Sequence, residues 1–117
     1  MRSLVAFLIL TAPAFGETYQ PITDRSAFVD IIAKRELRLN LYNVNLTITP
    51  KGQITGSALG WQITGDWTWQ DGYFCRQMDW SGTPIPYNCQ LVEAKGGEKL
   101  RFTTDKGAGT SAAFDLR

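Results

Sequence analysis

A chain of 117 residues with twelve Lys and Arg against eleven Asp and Glu is nearly neutral, and its basic residues are scattered. It therefore lacks the clustered positive charge that nucleic acid or anionic lipid requires of a partner. It also contains no histidine, which removes the Ser-His-Asp and Cys-His nucleophile systems and the commonest metal ligand.

The first sixteen residues, MRSLVAFLILTAPAFG, place one positive charge at Arg2, an apolar run from Leu4 to Leu10, and small residues at Ala12, Ala14 and Gly16. That order is the signature of a secretory signal peptide, and the apolar run is far shorter than the roughly 20 residues a bilayer span needs. Cleavage is expected after Gly16, with cleavage after Ala14 the alternative. Residues 17–117 are then the mature chain, 101 residues with no net charge once Arg2 is gone. Its length suits a single domain with a modest core. It is expected to be periplasmic or secreted, monomeric, and without stable membrane insertion after the signal is removed.

After a polar leader, ETYQPI, the stretch TDRSAFVDIIAK offers Thr23 or Asp24 as a helix cap and repeats Phe28, Val29, Ile31 and Ile32 at helical spacing. A helix over about residues 24–34 is predicted. The period then changes to two. Residues 37–42, LRLNLY, alternate, and so do Val44, Leu46 and Ile48 against Asn45, Thr47 and Thr49. Pro50-Lys51-Gly52 reads as a tight turn that sets Ile48 opposite Ile54. Asp71-Gly72 is the strongest hairpin signal, because both residues tolerate the left-handed backbone of a primed turn. SGTPIP, residues 81–86, reads as a longer loop. Gly96-Gly97 and DKGAG, residues 105–109, add turns before the closing strand TSAAFDLR. The fold class is α+β, mostly β: one N-terminal helix followed by about eight short antiparallel strands in a highly curved meander sheet or small barrel. Closure is favoured because it removes exposed strand edges.

Cys75 and Cys89 are an even pair in an exported chain, which reads as one disulfide. Their spacing does not resemble a redox C-x-x-C motif. The loop they close is worth about 3 kcal/mol on the chain-entropy account.

The segment GDWTWQDGYFCR, residues 65–76, is the densest concentration of aromatics. A two-residue turn at Asp71-Gly72 pairs Gln70 with Tyr73, Trp69 with Phe74, Thr68 with Cys75 and Trp67 with Arg76. Alternation then puts Trp67, Trp69, Phe74, Arg76 and Met78 on one face. If Cys75 and Cys89 are directly opposed, Tyr73 faces Leu91 and Gln77 faces Tyr87. The aromatic face reads either as core, with Arg76 laid on the Trp67 indole, or as a ligand pocket. In the pocket reading Trp67 and Trp69 are stacking surfaces and Arg76 holds a carboxylate or other anion. Trp61, alternating with Ile63, is expected to be buried. Trp80, Ile85 and Tyr87, in and beside the loop WSGTPIPY, form a candidate lip for a protein partner.

Asp66, Asp71 and Asp79 are close in sequence, yet Asp71 belongs to the turn and the others to polar strand positions, so no catalytic residue is assigned. KGG and DKGAG are turns, since neither joins a strand to a helix as a phosphate loop does. No metal site and no cofactor are expected.

The run G-D-W-T-W-Q-D-G-Y-F-C-R, then D-W, Y-N-C-Q-L-V and L-R-F-T-T-D-K-G-A-G, resembles a group of small exported proteins from marine and phototrophic alphaproteobacteria. Members are often labelled dihydrodipicolinate reductase, which implies an NAD(P)H-dependent enzyme of lysine biosynthesis. This sequence has no G-x-G-x-x-G turn between strand and helix and no βαβ unit, and it begins with an export signal. The resemblance carries no catalytic residues onto this chain. The leading expectation is a disulfide-stapled β-rich binding or interaction module whose partner is a small ligand or a periplasmic protein. The alternatives are an enzyme, anchored on Arg76 with Asp66 or Asp79, and an exported inhibitor or assembly partner using the WSGTPIPY loop.

Overall fold

Three primed two-residue turns organise the sheet: Leu59-Gly60, Asp71-Gly72 and Ser81-Gly82 all have positive φ, from 47° at Ser81 to 100° at Gly82. This backbone hand matches the right-handed twist of antiparallel strands, so each turn fixes the register of the hairpin it joins. The computed structural model describes residues 18–117. The expected signal peptide, residues 1–16, lies outside the described residues. The chain forms strand β1 (Gln20–Ile22), helix α1 (Arg25–Ile32), then β2 (Leu37–Leu39), β3 (Val44–Ile48), β4 (Gln53–Ala58), β5 (Trp61–Gln70), β6 (Tyr73–Trp80), β7 (Thr83–Lys95), β8 (Lys99–Thr103) and β9 (Ser111–Leu116). A strand thus precedes the helix, inside the leader that sequence reading left unassigned.

From β2 to β9 every strand pairs antiparallel with the next, and β9 returns to pair with β2 through Leu37 opposite Leu116. The eight strands therefore close into an up-and-down barrel, with no edge left between first and last. The ninth strand, β1, lies along the second half of β7, pairing Gln20 with Ala94 and Ile22 with Val92. There it continues the line of β6, which accompanies only the first half.

The β5–β6 register is the one the Asp71-Gly72 turn predicts, from Gln70 opposite Tyr73 to Trp67 opposite Arg76. Ile48 likewise lies opposite Ile54. Cys75 lies opposite Cys89 and is bonded to it. The expected Gln77–Tyr87 pairing is absent, because the register slips between Arg76 and Met78. Such a β-bulge bends the strand and re-aims its side chains. SGTPIP is also not the long loop it suggests: Ser81-Gly82 makes the turn, and Thr83 already begins β7. Pro84 and Pro86 are tolerated because residues 83–90 of β7 pair with β6 alone, while β8 joins only from Leu91.

Helix α1 closes one end of the barrel. Asp24 caps it, its carboxylate accepting from the Ala27 amide at 2.8 Å. That bond, helped by the Ser26 hydroxyl, holds the Asp24 pKa below the ordinary carboxylate value. Four residues of spacing place Phe28 and Ile32 on the same face, and both are fully buried. Phe28 is the hub of the interior: its ring centroid lies 5.3 Å from Trp67, 5.1 Å from Trp69, 5.2 Å from Phe74 and 6.4 Å from Phe102. Such pairs add about 0.5–1.5 kcal/mol each beyond area burial. Arg25 fastens the helix from outside, donating to the Pro50 carbonyl at 2.7 Å and lying over the Trp67 ring at 5.3 Å. The cation on Trp67 is thus Arg25, and the suggested Arg76–Trp67 contact is not made.

Phe28→Ala removes a buried ring touching four aromatics, so stability measured by urea unfolding should fall by about 3–5 kcal/mol. A loss under about 1 kcal/mol would contradict the helix's role as the barrel's plug.

Candidate functional site

At the helix end the interior is filled by Phe28, Trp67, Trp69 and Phe74. Towards the other end it is not. A cavity of about 260 Å³ runs between the inward faces of β3, β4, β6, β7, β8 and β9, walled by Leu46, Ile48, Ile54, Phe74, Phe102 and Phe114. Its rim includes Thr104 and Thr110 of the β8–β9 connection and Ser111 at the start of β9. Left as a dry packing defect, a void of this size would cost roughly 6 kcal/mol at about 24 cal/mol per Å³. That approaches the whole stability of a small domain, about 5–15 kcal/mol. The space is therefore a chamber open to water or to a ligand.

Two polar side chains interrupt the apolar wall. Arg76 on β6 and Gln90 on β7 both line the cavity, with only 8% and 7% of their surfaces exposed. Arg76 pairs with Asn88 and Gln90 with Phe74, so the two are diagonal neighbours on one face of the β6–β7 hairpin. The guanidinium Nη1 donates to the Pro86 carbonyl at 2.6 Å, beside the bulge. Nε and Nη2 have no protein partner among the described residues, and neither does the Gln90 amide. The ion pairs among the described residues are Lys99–Asp115 and Arg101–Glu93, both away from the cavity. Burial alone acts on Arg76 and pulls its pKa below the ordinary guanidinium value.

Of the three residues that the aromatic segment offers as ligand contacts, the structure brings only Arg76 to the cavity. Trp67 donates from its indole to the Thr49 carbonyl at 2.9 Å and is packed against Phe28 and Phe74. Trp69 stacks on Phe28. Both sit in the plug beneath the chamber. Asp66 and Asp79, at the opposite strand parity from Arg76, face the other side of the sheet. Asp79 accepts from the Gly82 amide at 2.8 Å, and neither carboxylate is brought together with Arg76.

The candidate protein-binding lip is dispersed. Trp80 is half-buried, its indole donating to the Ala58 carbonyl at 3.0 Å, Ile85 is half-buried on β7, and Tyr87 is 53% exposed. Trp61 is 63% exposed instead of buried. It shares the inward phase of Ile63, but it stands at the strand's first position, beyond the last turn of wall that could cover it. Sequence reading missed Gln90. The disulfide was the available signal: if Cys89 points outward opposite Cys75, its neighbour must point in.

No family model matches the chain, and no curated protein or solved structure is significantly similar to it.

A buried, unpaired guanidinium is destabilising, so Arg76→Met, similar in length and apolar, should keep or raise the thermal midpoint. A marked drop, in calorimetry on the disulfide-intact protein, would show instead that Arg76 serves to hold the β6–β7 hairpin.

Proposed function

We propose that this protein is a small-ligand binding module that takes its ligand inside the barrel, through the end opposite the helix. The observation that carries this reading is the division of the interior: aromatic side chains fill one end, while the other keeps a cavity of about 260 Å³ with an apolar wall. Eight-stranded barrels are of the size at which the interior is either just filled by side chains or holds one small ligand. An apolar, preformed recess with few polar groups is the usual form of a small-molecule site. The disulfide suits an oxidising compartment, and with the signal-like leader it supports a periplasmic or secreted carrier.

Ala112 lies on the cavity wall, where a larger side chain would occupy the space without touching the plug. A neutral naphthylamine dye should bind the wild-type protein with enhanced fluorescence, and Ala112→Phe should weaken that binding about tenfold or more. Far-UV circular dichroism would confirm that the variant keeps its fold. Undiminished dye binding to a folded Ala112→Phe protein would place the ligand elsewhere and refute the reading.

A further inference from the structure

We infer that the ligand of this chamber is a monocarboxylate with an apolar tail, its head group held by Arg76 and Gln90. The inference rests on the reading of the barrel interior as a ligand site and specifies the chemistry that site accepts. Three observations converge on it. First, Arg76 is more than nine-tenths buried on the cavity wall and meets no carboxylate among the described residues. A charge removed from water needs a counter-charge or a full set of hydrogen bonds, and the described residues supply only one acceptor.

Second, the one bond it makes leaves a particular shape free. With Nη1 occupied by the Pro86 carbonyl at 2.6 Å, Nε and Nη2 remain as an adjacent pair of parallel donors. That edge of a guanidinium matches the two oxygens of a carboxylate in a fork-to-fork contact. The amide of Gln90, buried on the neighbouring strand and without a partner among the described residues, offers a further donor. Gln has two donors and an acceptor to satisfy, so its burial here calls for a polar group as well.

Third, the surroundings fix the valence and the rest of the molecule. Among the described residues Arg76 is the only cationic side chain lining the cavity, so a monoanion balances the site and a dianion would carry an uncompensated charge into it. Apart from Gln90, Thr104, Thr110 and Ser111, the rest of the lining is apolar, so a tail meets mainly apolar contact. The polar end of the ligand therefore meets β6 and β7, while its tail packs across the barrel against β3, β4, β8 and β9.

Calorimetric titration of the disulfide-intact protein with octanoate, octanol and methyl octanoate tests this. Octanoate should bind at least tenfold tighter than either neutral analogue, and in Arg76→Met that ratio should fall to about one. Octyl phosphate should bind more weakly than octanoate. If the Arg76→Met protein does not fold, the ratio measured on the wild type still decides. Equal affinities for octanoate and octanol on the wild type, with both lost in Ala112→Phe, would overturn the carboxylate assignment and leave the interior site standing. Absence of binding by all four compounds would overturn the assignment together with the interior site. A preference for octanoate that survives Arg76→Met would also overturn it.

Discussion

Closing eight strands into a barrel limits the volume inside, and Phe28 decides how that volume is divided. The ring enters from helix α1 and meets Trp67, Trp69, Phe74 and Phe102, so that end of the interior is filled with aromatic side chains. At the other end the inward side chains beside Arg76 and Gln90 are chiefly Leu46, Ile48, Ile54 and Ala112, with Phe114 in edge contact with Phe102 at 5.7 Å. These do not span the barrel, and the chamber is what they leave. A helix without Phe28 would keep only Ile32 and the Arg25 contacts to seat it, and the filled and open ends would lose their distinction.

The second dependence is on β6 and β7. The Cys75–Cys89 bond ties their outward faces together, while one residue further along each strand Arg76 and Gln90 face inward. The bulge past Arg76 disturbs the ladder where the Pro86 carbonyl takes up one guanidinium donor. The hairpin thus combines a covalent staple on its outside with an incompletely satisfied pair of polar groups on its inside. In a structural core such a pair is a liability. At a binding site it is the means of recognition, and stability forgone there is returned when ligand binds.

Much of this was legible beforehand because hairpin registers are local. Asp71-Gly72 and Pro50-Lys51-Gly52 dictated the pairing of β5 with β6 and of β3 with β4, and alternation then placed Trp67, Phe74 and Arg76 on one face. What was not legible depends on pairings distant in sequence. Whether Trp67 meets ligand or core turns on Phe28, some forty positions earlier, and no local pattern links them. The exposure of Trp61 depends on where the barrel wall stops, and the slip after Arg76 leaves no turn residue to announce it. Strand β1 has no signature in the sequence because three residues of mixed polarity, Gln20-Pro21-Ile22, become a strand only when β7 offers an edge. The cavity itself is a sum over six strands, so it could be posed as a question but not answered from sequence.

The central claim is that a ligand enters the barrel and meets the Arg76 guanidinium. The most direct measurement is nuclear magnetic resonance of the arginine Nε–H signals in protein carrying nitrogen-15, titrated with octanoate. The account predicts that the Arg76 Nε–H signal moves downfield and its exchange with water slows, while the Trp61 indole at the exposed rim changes little. Shifts confined to Trp61 and Tyr87, with Arg76 unmoved, would contradict it.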